Sequence, residues 1–315
     1  MNYIYYIGID MSKDFFDVAC SDMPRQAKRF GNDAIGFAEF GKAYGERLAS
    51  GLAVVEATGG YEKALLAYLL GNGYAAHRAD PLKAKHFIRS LGQNGKTDRL
   101  DAHALARYAL ERHASLPLYR KENEKHEKLK LLVLRSADLK EMLVKEKNRS
   151  KHPGYKSLAA STRRMIDQLN NEISLICEEI EELVAAEKEL ADKEKILTEV
   201  KGIGKHTAHS LIALMPELGT LTRRKAASLA GLAPHPKDSG KSSGYRAVRG
   251  GRHPVRTALF MAAMVAMRYD QTLKAFHQNL IHKGKKPMVA LTAVMRKLIT
   301  ILNAKLRDKF FMQAA

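Results

Sequence analysis

Four carboxylates are, by type and spacing, the residues best suited to chemistry: Asp10, Glu56, Asp98 and Asp101. Asp10 ends the aromatic and β-branched run YIYYIGI, and Glu56 ends the apolar run LAVVEA, so both project from the ends of expected strands, where parallel neighbours can bring them together. Asp98 and Asp101 lie three apart in KTDRLDA, a spacing that puts both on one face of a helix and aims them at one point. Four converging acids repel one another unless a hard divalent cation neutralises them, and magnesium is the expected ion. One or two such ions, roughly 4 Å apart when paired, polarise a phosphate, ionise a nucleophile and stabilise a leaving oxygen. Each acid alone has a plainer reading. Asp10 can simply end a strand, Glu56 accept a backbone bond, and Asp98 serve the first helical turn beside Thr97.

A second candidate group lies far along the chain, in the loop HPKDSGKSSGYRAVRGGRHP. Ser239, followed by Gly240, can present its hydroxyl with little hindrance, and Arg246, Arg249, Arg252 and Arg256 could hold a phosphate under attack. A serine hydroxyl is a poor nucleophile at neutral pH and needs a base or a metal. Ser242 and Ser243 stand close by, and the residues alone do not choose among the three. Upstream, Gly202-Ile203-Gly204 precedes Lys205 in VKGIGKHTAHSLIA. Such a turn resembles half of a helix-hairpin-helix element, in which backbone N–H groups approach a phosphate, although glycine turns also merely cap helices. His206 and His209 lack a carboxylate or cysteine companion in their segment and read as phosphate contacts or packing. Lys283, Lys285 and Lys286 read as a solvated cluster near backbone phosphates.

These groups need elements to position them. The first third reads as a β-meander followed by strands alternating with helices: a helix near Ala34 to Leu48, the strand ending at Glu56, a helix near Tyr61 to Leu70, a strand at YAAHRA, a helix from Pro81 and another from near Thr97 to Arg112. Between about Glu122 and Val200 only long helices are expected. Ile166, Leu169, Ile173, Ile176, Ile180 and Leu183 form a heptad seam, and an antiparallel hairpin or coiled coil should break at His152-Pro153-Gly154. The rest is helical, with FMAAMVAM read as a packed core helix. The expected fold is α/β plus all-α: a mixed domain over 1–116, a helical arm over 117–195 that commonly makes a dimer, and a helical basic domain over 196–315.

Of the net charge of +19, the segment from Lys195 onward carries 22 Lys and Arg against 5 Asp and Glu. A polyanion partner explains such local self-repulsion, and its uneven distribution points to nucleic acid rather than to a membrane surface. No run of eighteen apolar residues and no basic-then-apolar leader is present, so a cytoplasmic protein is expected. Cys20 and Cys177 exclude a disulfide framework and a cysteine-type zinc site, and both are expected to be ordinary buried thiols.

The order strand-Asp, strand-Glu, helix-DxxD is similar to the ribonuclease-H-like fold of RuvC resolvases. More specifically, YIGIDMSKDFFDVA, VVEATGGYEKALLAYLLGNGY and NGKTDRLDAHALARYA resemble the signature blocks of the DEDD insertion-sequence transposases of the one-ten type, which include the Piv invertases. VKGIGKHTAHSLIA, ASLAGLAPHPKDSGKSSG and GGRHPVRTALFMAAMVA resemble that family's C-terminal transposase domain, in the right order, whereas the middle arm matches in length and helical character only. The resemblance implies that Asp10, Glu56, Asp98 and Asp101 hold Mg2+ and that Ser239 is the nucleophile in DNA strand cleavage and rejoining. It also implies a homodimer or homotetramer in which serine and carboxylates meet across subunits, and a structured guide RNA encoded by the element that selects donor and target DNA.

Three other readings compete. A metal-dependent nuclease or Holliday-junction resolvase would use water and form no covalent adduct. A sugar-kinase or actin-like ATPase would want Gly with Thr or Ser after the strand Asp, where Met11-Ser12-Lys13 stands, and a second phosphate turn is missing. A non-catalytic nucleic-acid-binding protein would have its four acids dispersed.

Overall fold

The computed structural model describes residues 3–23, 26–92, 98–121, 123–235 and 247–310, with the side chains of Asp98 and Arg99 outside that description. The chain divides into two compact units, Met1–Glu122 and Asn123–Ala315.

The first unit is a mixed sheet with helices on both faces. Its strands are β1 (Tyr5–Met11), β2 (Phe15–Cys20), β3 (Ala27–Gly31), β4 (Gly51–Glu56) and β5 (Ala75–Ala79), and its helices are α1 (Ala34–Ala49), α2 (Lys63–Gly71), α3 (Pro81–Ser90) and α4 (Asp98–Arg112). The sheet order is β3-β2-β1-β4-β5. The first three strands form the expected antiparallel meander, while β1, β4 and β5 run parallel. This is consistent with a ribonuclease-H-like domain.

Alternation along the strands separates two cores. Ile7, Ile9, Phe16, Val18, Phe30, Ala53 and Val55 pack with Phe37, Phe40, Tyr44 and Leu48 of α1 and Leu65, Leu66 and Leu69 of α2. Tyr6, Leu52, Val54 and Ala79, on the opposite face, pack with Ala84 and Phe87 of α3 and Leu105, Tyr108 and Ala109 of α4. Beyond α4, Tyr119 donates its N–H to Ala76 O at 2.7 Å and His77 Nδ1 meets Pro117 O at 2.7 Å, so the chain runs back along β5 before the unit ends.

The second unit begins with two 28-residue helices, α5 (Glu124–Lys151) and α6 (Ala159–Ala186), joined through Pro153–Leu158. The Lys128–Glu179 and Lys125–Glu187 pairs join the start of α5 to the end of α6, so the hairpin is antiparallel. Every residue of the expected seam on α6 is buried or half-buried. The rest comprises α7 (Lys188–Thr198), α8 (Lys205–Leu214), α9 (Arg223–Leu229), the short strands β6 (Pro234–His235) and β7 (Ala247–Val248), α10 (His253–Tyr269), α11 (Gln271–His282) and α12 (Pro287–Phe310). Leu129, Val133, Ile180 and Val184 at the hairpin base share one core with α8, α10 and α12.

By length and composition α12 is the one helix among the described residues that could cross a membrane. Its buried apolar residues from Leu291 to Leu306 belong to that core. Of the cysteines, Cys20 is buried, with desolvation the main cause pushing its thiol up to about 11, whereas Cys177 is only half-buried.

Candidate active site

Asp10 and Glu56 occupy one row of the sheet. The parallel register of β1 and β4 ends at Ile9↔Val55, so the next residues, Asp10 and Glu56, are neighbours on the same face. Asp10 is also the cross-strand partner of Asp17 on β2, and Asp17 of Arg29 on β3. The row across four strands is therefore Arg29, Asp17, Asp10, Glu56. Sequence reading passed over Asp17, which is 1% exposed and held by Arg29 through Nη2–Oδ2 at 2.7 Å, with the guanidinium lying over the Phe15 ring. Its signal was an acidic residue inside an otherwise apolar strand.

Helix α4 lies on the face that carries this row. Gly8 shares that face with Asp10, two residues away, and a Cβ on Gly8 would fall 2.1 Å from Ala102 O and 2.2 Å from Ala106 N. One strand step back, the Tyr6 ring meets His113, just beyond the end of α4, in a tilted contact at 5.1 Å between ring centroids. The helix thus runs antiparallel to β1, and its first turn, with Asp98 and Asp101, begins toward the strand ends bearing Asp10 and Glu56. Among the described residues, no group of three or more His, Cys, Asp or Glu stands close enough to hold a metal ion, and the Asp98 side chain lies outside them. Asp10 and Glu56 share a row and a face of the sheet, and their carboxylate oxygens are donors of the type magnesium takes.

The loop after Glu56 is wound around another carboxylate. Glu62, fully buried, accepts from Thr58 N at 3.0 Å and Gly60 N at 2.9 Å through Oε2, and from Arg78 Nε at 2.9 Å through Oε1. Burial pushes the Glu62 carboxyl up, but the backbone N–H groups and Arg78 outweigh it and hold the group below its ordinary 4.5.

In the second unit, β6 and β7 pair antiparallel, with Pro234 opposite Val248 and His235 opposite Ala247. Ser239, Arg246 and the alternatives Ser242 and Ser243 belong to segment 236–246 and lie outside the described residues. Arg249 is exposed. Arg252 is committed within the fold, donating to both Glu217 oxygens at 2.8 and 2.7 Å and to Leu214 O at 2.7 Å, and Arg256 donates to Gly250 O at 3.0 Å and Gly231 O at 3.3 Å. Gly202 has φ +94°, and a Cβ there would lie 2.7 Å from Ala262 O on α10, so the first glycine of the turn serves close packing. Gly204 N-caps α8 with open space around it, and Lys205 pairs with Glu181 at 2.8 Å.

The two histidines find companions that are remote in sequence. His209 is buried with Nε2 2.6 Å from Glu194, and His206 lies beside Cys177 and Lys140, with burial first and Lys140 second lowering its pKa.

Comparison with known proteins accounts for both ends of the chain. A model described as a DEDD-type transposase matches residues 7–152, and one described as "Transposase IS116/IS110/IS902 family" matches residues 194–278. Over 313 residues the chain is 31% identical to the pilin gene-inverting protein of Moraxella bovis, with 96% of each chain covered, and equally to that of Moraxella lacunata. It is 35% identical over 122 residues to the 43.6 kDa protein of insertion element IS110 from Streptomyces coelicolor, covering 38% of this chain and 30% of that one. With its strand-end acids, its basic C-terminal third and relatives aligned along nearly its whole length, the chain belongs to the IS110/IS116/IS902 family of transposases and is a DNA recombinase.

Proposed function

We propose that this recombinase excises, inserts or inverts DNA segments by transferring strands through a phosphoserine link, with Ser239 as nucleophile and with Asp10, Glu56, Asp98 and Asp101 holding one or two Mg2+ ions. The observation that carries the metal part is the single row that sets Asp10 beside Glu56 under the helix that begins with Asp98. When bound, the metal lowers the cost of the charge that builds up on the phosphate and its oxygens. The Ser239 Oγ–phosphorus bond forms as the strand-end oxygen leaves, and attack by a second strand-end hydroxyl releases the serine, so no external energy is consumed. Inversion is the activity named for the Moraxella relatives. The basic last third suits donor and target DNA and also a structured guide RNA, and a homodimer or homotetramer is the expected working form.

The test mixes labelled cognate DNA, magnesium and protein and looks for a protein–DNA adduct that survives denaturation. Ser239→Ala should abolish the adduct and Ser242→Ala should not, while Asp101→Asn should abolish strand cleavage and leave most binding. An adduct persisting in Ser239→Ala refutes the nucleophile. Cleavage with no adduct in any variant makes the protein a nuclease or junction resolvase.

A further inference from the structure

We infer that Asn32 is a positioning residue for the metal-holding carboxylates, an inference that rests on the reading of Asp10 and Glu56 given above. Asn32 follows β3 and precedes α1, and both sides of it are rigid. Gly31 is paired with Phe15, and Asp33 caps α1 by accepting from Gly36 N at 2.7 Å. The first turn of α1 packs so closely that a Cβ on Gly36 would fall 2.0 Å from Gly31 O.

From this mount Asn32 reaches two loops. Its backbone N–H donates to Asp14 O at 3.0 Å, and its Nδ2 donates to Ser12 O at 3.1 Å, Lys13 O at 3.2 Å and Tyr61 O at 3.2 Å. Ser12 and Lys13 form the turn just beyond Asp10, and Tyr61 belongs to the loop just beyond Glu56. One carboxamide therefore stitches the two segments that leave the two strand-end acids. The second segment is stiff enough to be held at one point. Thr58 Oγ1 donates back to Glu56 O at 3.1 Å, Ala57 N donates to Ala79 O at 3.1 Å, and Glu62 with Arg78 binds the rest of the loop.

The chemistry of the contact selects asparagine. Three carbonyl oxygens converge on one group, which only a donor can satisfy, and this fixes the amide orientation. Its Oδ1 is buried without a hydrogen-bond partner among the described residues. An acceptor left so costs stability, whereas the stitch sets the separation of the two strand ends that carry Asp10 and Glu56. Residues that orient metal ligands in this way typically change metal affinity about 10- to 100-fold when replaced.

The experiment measures Mn2+ binding by the full chain without DNA, from the electron paramagnetic resonance signal of the free ion, beside the thermal melt. Wild type is compared with Asp10→Asn, Asn32→Asp and Asn32→Ala. Asn32→Asp keeps the shape but turns an acceptor toward three carbonyls. Both Asn32 variants should bind Mn2+ about 10- to 100-fold more weakly while still melting cooperatively. Wild-type affinity in either folded Asn32 variant, with the site lost in Asp10→Asn, overturns this inference alone. Loss of the cooperative melt in both also overturns it, because Asn32 would then hold the domain rather than the site. Equal binding by wild type and Asp10→Asn sinks the metal reading and this inference with it.

Discussion

At Gly8 a single hydrogen in place of a side chain allows α4 to rest on β1, since a Cβ would meet backbone atoms of Ala102 and Ala106 at little over 2 Å. Neither neighbour is the far end of a flexible side chain, so the helix as a whole must lift. Gly8→Ala should destabilise the first unit by about 2–3 kcal/mol, in the range of overpacked cores, and should shift Asp101 away from the strand ends. Urea unfolding should show a lowered midpoint, and DNA strand cleavage should fall with it. A wild-type midpoint would mean that the close approach carries no load. The same face of the sheet carries Asp17, a buried acid directly across from Asp10 whose charge Arg29 offsets. Sequence showed Asp17 as one more acidic residue in a strand. Only the antiparallel register reveals that it faces Asp10.

Among the elements, the turn before α8 separates two glycines that the sequence presents as equivalent. Gly202 sits at positive φ against α10, while Gly204 has φ −87° and open space where its Cβ would be. Gly202→Ala should cost about 2 kcal/mol or more through backbone strain and contact with Ala262 and Ala266. Gly204→Ala should cost less than about 1 kcal/mol, the loss of a favourable N-cap residue. Paired thermal melts check this, and equal effects would contradict the assignment of Gly202 to packing. The helical hairpin was legible because hydrophobic spacing is a local property of one helix. The stretch FMAAMVAM of α10 was legible as a core helix too: Ala262, Ala263 and Ala266 are buried, Phe260, Met264 and Met267 pack against the same core, and only the detail that Met261 is exposed needed the structure. Small residues won that face because α8 and α12 approach it closely.

For the molecule as a whole, the charge distribution governs binding. With most of the +19 confined to the last third, association with DNA should release counterions and weaken steeply with salt. If 6–10 phosphates are neutralised, affinity should fall by roughly 10³- to 10⁵-fold between 50 and 200 mM salt. Filter binding over a salt series measures the slope, and a flat response would remove the polyanion argument. Not every arginine contributes equally, since Arg252 is already paired with Glu217 and Arg256 with backbone carbonyls. Arg249→Ala should therefore reduce the slope more than Arg252→Ala does.

By itself, the sequence determined the strand-end acids, the meander and alternating helices, the heptad seam and the place of the basic charge. Each of these is written in hydrophobic periodicity or composition over a dozen or so neighbouring residues. Tertiary structure alone decided which residues meet across long gaps: Asp10 with Asp17 and Glu56, Asn32 with Tyr61, Glu62 with Arg78, His209 with Glu194 and Arg252 with Glu217. Register and helix packing set these pairs, and both depend on how close two backbones can come. At Gly8 and Gly202 that distance is set by the absence of a side chain, which a sequence read locally records only as a glycine.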